Sequence, residues 1–270
     1  MHSLSLVIPT KNRPRLLRRA LDSIASQTHR PLEILVVDDG SATSCADVAA
    51  EYPALAISVY RNELSIGAAA ARNLGAMKAR GSLIGFLDDD DEYLPGVFEQ
   101  VLDFWQRPGR QASLTWCGAE ISPAAADPGG ETANPWIVRF GDPRADARLI
   151  ESQLLSVGVG FGVFVCANAF ARVSGFDGQY KLVEDTDFFL RFLAGGNSVA
   201  PIDTVGVRLH QHAGDRLTNA DHNERRSREC VAMIWRNRRY LSRRPLLLSQ
   251  LVRRTRRLGA RGQADGLDTY

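Results

Sequence analysis

Four consecutive aspartates and a glutamate, Asp88, Asp89, Asp90, Asp91 and Glu92, close an apolar run at residues 82–87. Carboxylates so crowded repel one another and resist desolvation, so a chain that sets them at the end of a core strand calls for a cation there. Oxygen donors alone select a hard ion, Mg2+ or Mn2+. Taken by itself the stretch also reads as a solvated acidic turn, and the surrounding pattern has to decide. Two further acid pairs, Asp38-Asp39 and Glu184-Asp185, and the polar residues Thr10, Lys11, Asn12 and Arg13 complete the set that could do chemistry. Each has a plainer reading: Asp and Gly end strands in turns unaided, and acids in a helix's first turn favour its macrodipole.

The elements that must position these groups alternate. An apolar strand at 4–9 stops at Pro9, a turn follows, and Leu16, Leu17, Ala20, Leu21 and Ile24 recur at helical spacing up to Gln27. Strands at 32–37, 55–60 and 82–87 come next. A helix through Val48 and an alanine-rich helix at 67–80, carrying Arg72 and Asn73, lie between them, and another helix begins near Pro95. This alternation predicts parallel pairing with right-handed crossovers, hence an open α/β sheet whose ligands bind beyond the carboxyl ends of the strands. Residues 10–13, Asp38-Asp39 and 88–91 all sit at such ends, so topology brings them to one rim.

Beyond Trp105 the pattern predicts a strand at 112–117, a long surface loop or lid at 122–146, a strand at 161–166 and a short helix at 168–173 ended at Gly175. Glu184 and Asp185 open a helix whose Phe188, Phe189, Phe192 and Leu193 form its core stripe, and residues 199–209 give another strand or two.

With 270 residues, 44% apolar and 24% charged, the chain can bury a core as one large or two small domains. The net charge of +2 conceals a crowd of arginines at 225–261. Cys45, Cys117, Cys166 and Cys230 lie far apart with no C-x-x-C pair, which reads as reduced, mostly buried thiols in a reducing compartment. Residues 3–9 are too short for the apolar core of a signal peptide. Residues 154–171 carry no charge, yet the alternating Gly158, Gly160 and Gly162 and the interrupting Asn168 suit a loop or strand better than a membrane span. A soluble, cytoplasmic protein is the expectation.

Six segments, taken together, resemble the inverting glycosyltransferases of family 2, which have the GT-A fold. They are Val-Ile-Pro-Thr-Lys-Asn-Arg at 7–13, Val-Val-Asp-Asp-Gly-Ser at 36–41, Gly67 with Ala-Arg-Asn at 71–73, Phe-Leu-Asp-Asp-Asp-Asp at 86–91, Gly-Phe-Asp at 175–177 and Glu-Asp-x-Asp-Phe-x-x-Arg at 184–191. One such signature is weak, but six in the family's order are strong. The resemblance implies a GT-A domain at 1–218, with a nucleotide-binding half at 1–110 and an acceptor-side half at 111–218, followed by a basic helical extension at 219–270.

It also implies roles. Pro9, Thr10, Asn12 and Arg13 would belong to the nucleotide site, with Thr10 and Asp39 on the base and Arg72 near the nucleotide. The family's Asp-x-Asp-Asp motif maps onto Asp88, Asp90 and Asp91 with Asp89 in the variable slot, although four aspartates in a row leave the register open by one. Asp90 and Asp91 are then expected on the Mn2+ or Mg2+ ion, with Asp88 and Asp89 on the nucleotide side, Asp88 at the ribose or a water on the ion. Glu184-Asp185 stands where the family keeps its general base, Asp185 being the base and Glu184 its neighbour. His212 fits a slot from which a histidine approaches the metal better than His210 does, although either also reads as a surface residue.

The implied activity moves a sugar from a nucleoside-diphosphate donor, UDP-linked, to a sugar, lipid-linked or other hydroxyl acceptor, as in surface polysaccharide or glycolipid assembly. Two alternatives use the same residues. A metal-dependent nucleotidyltransferase would want a Gly- and Lys-rich phosphate loop after the first strand, and Thr10-Lys-Asn-Arg-Pro is not one. A non-catalytic nucleotide-sugar binding module could dispense with Glu184-Asp185, which is present. Nucleic acid is not expected, because aromatic residues are sparse among the C-terminal arginines. In that extension Val231, Ile234, Trp235 and Leu241 mark one helical face and Leu247, Leu248, Leu251, Val252 and Leu258 another, with Arg253, Arg254, Arg256 and Arg257 mostly opposite the second. Such helices either rest peripherally on anionic lipid at the inner face of a membrane or present a solvated face, and both readings stay open.

Overall fold

The computed structural model describes residues 2–109, 112–123, 134–140, 146–211 and 222–264. Strands and helices alternate at first: β1 (Leu4–Thr10), α1 (Pro14–Ala25), β2 (Glu33–Asp39), α2 (Ala46–Ala50), β3 (Ile57–Asn62), α3 (Ala68–Lys78) and β4 (Leu83–Phe86). Then come β5 (Glu92–Tyr93), α4 (Val97–Gln106), β6 (Leu114–Ser122), β7 (Trp136–Val138), α5 (Ala147–Leu154), β8 (Phe164–Cys166), α6 (Ala167–Arg172), α7 (Glu184–Ala194) and β9 (Val199–His210). Three helices follow, α8 (Asn223–Arg236), α9 (Arg238–Leu241) and α10 (Pro245–Ala264).

The strands form one sheet in the order β3-β2-β1-β4-β8-β6-β9-β5, with β7 on β6. β3, β2, β1 and β4 pair in parallel, and β6 pairs in parallel with β9. β8 runs antiparallel between β4 and β6, and β5 and β7 are antiparallel additions, so most strands point the same way. Along β1, Leu6 and Ile8 enter one core while Val7 enters the other, the period-2 signature of a strand covered on both faces. α1 begins at Pro14, whose missing N–H costs nothing in a first turn, and buries Leu17, Ala20, Leu21 and Ile24.

Two expectations need correction. The loop expected at 122–146 contains β7: β8 pairs with β6 only at Leu114 and Thr115, and β7 supplies backbone partners for the next stretch, Ala119 to Ile121. The third strand lies two residues later than expected, because its register is set by pairing Ile57 with Ile34 through to Asn62 with Asp39. Among the described residues no helix is long and apolar enough to cross a membrane, and residues 154–171 divide among the end of α5, a glycine-rich loop, β8 and α6. All four cysteines are free thiols, three of them buried.

Candidate active site

The carboxyl ends of β1 and β2 enclose a cavity of about 220 Å3 lined by Thr10, Asn12, Arg13, Pro14, Ser41 and the following residues to Cys45. Asn12 takes a left-handed conformation, φ 57°, and seals this turn, accepting from the Ala42 N–H at 2.7 Å while its own N–H donates to Ser41 Oγ at 2.9 Å. Pro9 is the half-buried penultimate residue of β1. The two acids that end β2 behave differently. Asp38 is fully buried and accepts the Ser41 and Cys45 N–H groups, which is the strand-ending turn its residue type favours. Asp39 accepts from Asn62, Ser65, Ile66 and Gly67, so it pins the loop that starts α3. Burial pushes its pKa up, but the bonds from Ile66, Ser65, Asn62 and Gly67 overcome that and hold it below the usual carboxylate range.

The four aspartates after β4 do not act alike. Asp88, Asp90 and Asp91 each bring a carboxylate oxygen within 4.8 Å of the others. Asp89 turns instead to β1, accepting from Thr10 Oγ1 at 2.6 Å and from Arg13 at 3.1 Å. Burial raises the Asp89 pKa to about 6 against the pull of Thr10 and Arg13. Arg13 also reaches Asp90 at 3.2 Å, and the Arg19 side chain donates to the Asp90 carbonyl at 2.5 Å. Asp91 accepts the His210 N–H at 3.0 Å. An ideal Cβ on Gly160 would lie 3.3 Å from Asp91 Oδ2 and 3.7 Å from Asp88 Oδ2, so the glycine loop before β8 walls the cluster. Three convergent hard donors without sulfur fit a Mg2+ or Mn2+ ion.

Arg72, buried on α3, joins this cluster to the acids of α7. Its Nη2 donates to Asp88 Oδ1 at 2.6 Å, and its Nη1 lies 3.4 Å from Glu184 and 3.9 Å from Asp185 Oδ1. Burial opposes its charge, but Asp88, Asp185 and Glu184 overcome it and raise its pKa further. Asp185 Oδ2 accepts the Val159 N–H at 2.9 Å, while its buried Oδ1 has no hydrogen-bond partner among the described residues. The Asp185 side chain is 24% exposed. Burial first, then the charge of Asp185, lifts the Glu184 pKa to about 8; burial also raises that of Asp185, against Arg72 and the Val159 bond. Both carboxyl groups are thereby biased toward their protonated forms.

Other residues of the same segments hold the frame. Asn73 grips Phe176 in both directions, at 2.8 and 2.9 Å. Fully buried Asp187 pairs with Arg191 at 2.7 Å, and Arg191 donates to the carbonyls of Val173 and Gly175. Sequence reasoning missed the Val159 N–H, the Gly160 wall and Arg19; the alternating glycines were the one visible signal for the first two. His212 lies outside the described residues. His210 turns its Nε2 to Glu92 at 2.5 Å rather than to the cluster.

The model for the family described as Glycosyl transferase family 2 matches residues 5–163. An uncharacterized glycosyltransferase of Haemophilus influenzae is 37% identical over 193 residues, 70% of this chain and 62% of its own length. The uncharacterized glycosyltransferase YwdF of Bacillus subtilis is 43% identical over 98 residues, 36% of each chain. The chain thus spans less than two thirds of either relative. TarS of S. aureus, solved in complex with UDP-GlcNAc, superposes with a TM-score of 0.69 at 18% identity, over 93% of this chain and 72% of that one. The mannosyltransferase PcManGT of Pyrobaculum calidifontis, solved with GDP-Man and Mn2+, gives 0.65 at 16% identity, over 97% and 75%. These likenesses establish the GT-A fold. With its family match covering more than half of the chain, the protein belongs to glycosyltransferase family 2.

Proposed function

We propose that the chain transfers a glycosyl group from a nucleoside-diphosphate sugar, UDP-linked, to a hydroxyl acceptor by a single inverting displacement. The observation that carries this reading is the Arg72 guanidinium, which touches Asp88 of the three-aspartate cluster on one side and Glu184 on the other, with Asp185 at 3.9 Å. That contact would keep the proposed metal ligands and the proposed base on one rim, which supports a displacement with donor and acceptor held together. TarS and PcManGT, with their nucleotide-sugar ligands, support the donor class.

In this reading the cavity between the ends of β1 and β2 takes the nucleotide, with Pro9, Thr10, Asn12 and Arg13 around it and Asp39 beside the base. Because Asp39 already accepts four bonds from its own chain, it would act chiefly by fixing the loop at 65–67. Asp88, Asp90 and Asp91 would hold Mn2+ or Mg2+, with His212 as a further candidate ligand. That ion, when bound, neutralises the charge building on the departing diphosphate. The Asp185 carboxylate takes the proton of the acceptor hydroxyl while the hydroxyl oxygen bonds the anomeric carbon and the bond from that carbon to the phosphate oxygen breaks, releasing the nucleoside diphosphate. Val159 fixes the orientation of the base, and Glu184 keeps its own proton and leaves the negative charge to Asp185. Residues 1–110 would serve the donor and 111–218 the acceptor, with the C-terminal helices α8 to α10 packed on their shared core. The acceptor belongs to the chemistry of glycolipid or surface polysaccharide assembly.

Thermal melting against a panel of nucleoside diphosphates tests the donor side, because a ligand that binds the folded state raises the melting temperature by mass action. UDP should stabilise the protein in the presence of Mn2+ and much less with chelator. No stabilisation by any nucleoside diphosphate, with or without Mn2+, would contradict the reading.

A further inference from the structure

Residues 230–264 hold ten arginines and no aspartate or glutamate. Some are used inside the fold: Arg236 bonds Asp177, Arg244 bonds Glu151 at 3.0 Å, and Arg254 donates to Thr186 Oγ1 at 3.3 Å. Arg239, Arg243, Arg253, Arg256 and Arg257 are exposed, and no ion pair engages them among the described residues. One face of the α8–α10 hairpin is accounted for, since Cys230, Met233, Leu247 and Leu251 are buried in the core. The opposite face is not polar, as a solvated helix face would be. Val231 is 57% exposed and Trp235 68%, and between the helices lies a groove of about 300 Å3 lined by Val231, Ile234, Trp235, Val252, Thr255 and two arginines, Arg238 and Arg256. Arg238 stacks on the Trp235 ring at 4.5 Å.

We propose that this hairpin docks on the surface of an anionic lipid bilayer. Tryptophan favours the headgroup level, arginine reaches phosphate while its stem stays in apolar surroundings, and the valine-lined groove supplies the face that enters the acyl boundary. A nucleic acid would satisfy the arginines and leave the groove facing water, whereas an anionic bilayer answers both features. The contact is peripheral, because α10 carries arginine at four positions from 253 to 257 and is too polar to span. The hairpin is also fixed to the site: Arg254 holds Thr186, next to Asp185, and Gln250 bonds Ser152 of α5 at 2.8 Å.

Sedimentation of the full chain with phosphatidylcholine vesicles, with and without phosphatidylglycerol, tests this. Binding should require the anionic lipid and fall as salt rises. Arg253→Gln with Arg257→Gln should lower the partition coefficient about 30-fold, each arginine contributing roughly equally. Trp235→Ser should lower it at every salt concentration, and both variants should melt at the wild-type temperature. Equal binding to neutral vesicles, no loss in the arginine variant, or retention on duplex DNA with no vesicle binding would overturn the proposal. So would a stable dimer in light scattering that Trp235→Ser dissociates, since a second copy would then own the groove.

Discussion

The Arg72 guanidinium sits 2.6 Å from Asp88 and 3.4 Å from Glu184, joining residues that are 16 and 112 positions away from it in the chain. Removing one partner from such a buried arrangement leaves uncompensated charge, at a cost of about 3–5 kcal/mol. Arg72→Met should therefore lower the unfolding free energy extrapolated from urea titration by that amount, with a matching drop in the midpoint. Arg72→Lys, with one point charge in place of a fork, should restore it only in part. A midpoint unchanged in Arg72→Met would mean that the acids are neutralised in some other way.

The aspartate register gives a second prediction. Asp88→Asn, Asp90→Asn and Asp91→Asn should each weaken Mn2+ binding by more than the roughly 10- to 100-fold typical of a supporting residue. Asp89→Asn should retain Mn2+ while loosening the Thr10 and Arg13 contacts. Calorimetric titration with Mn2+ and UDP distinguishes the four. An Asp89 variant that loses the metal as fully as the others would shift the register by one.

Glu184 makes stability depend on pH in a defined direction. Its pKa rises from an ordinary 4.5 to about 8 in the folded chain, through burial and then the charge of Asp185. Between those values the folded state binds more proton than the unfolded state, so this group costs stability progressively as pH climbs through that window. Glu184→Gln removes the cost. The melting temperature of the variant minus that of the wild type should grow from pH 5 to pH 8, about the range of the shift. A difference that stays flat with pH would place the proton elsewhere.

Much of this site was legible because its chemistry is concentrated in short runs at strand ends. The acids after β2 and β4 and the pair opening α7 declared themselves as polar clusters closing apolar segments. Their division of labour did not. Asp39 and Asp89 read as ligand-facing groups, and the structure adds partners within the chain, the loop at 65–67 for one and Thr10 and Arg13 for the other. Those partners are set by strand register, which no local pattern announces. The same holds for β7 and for the Val159 N–H on Asp185, since both depend on antiparallel strands inserted into an otherwise parallel sheet.

In the proposed reaction donor binding and proton abstraction are separate tasks on the two sides of Arg72. Asp185→Asn tests it most directly, with the Kd of UDP in Mn2+ measured by calorimetry beside the turnover of the donor that melting identifies. The variant should keep a Kd within about twofold of wild type and lose turnover roughly 100- to 10,000-fold, the usual span for a general base. Normal turnover in Asp185→Asn, or an equal collapse of UDP binding, would contradict this separation.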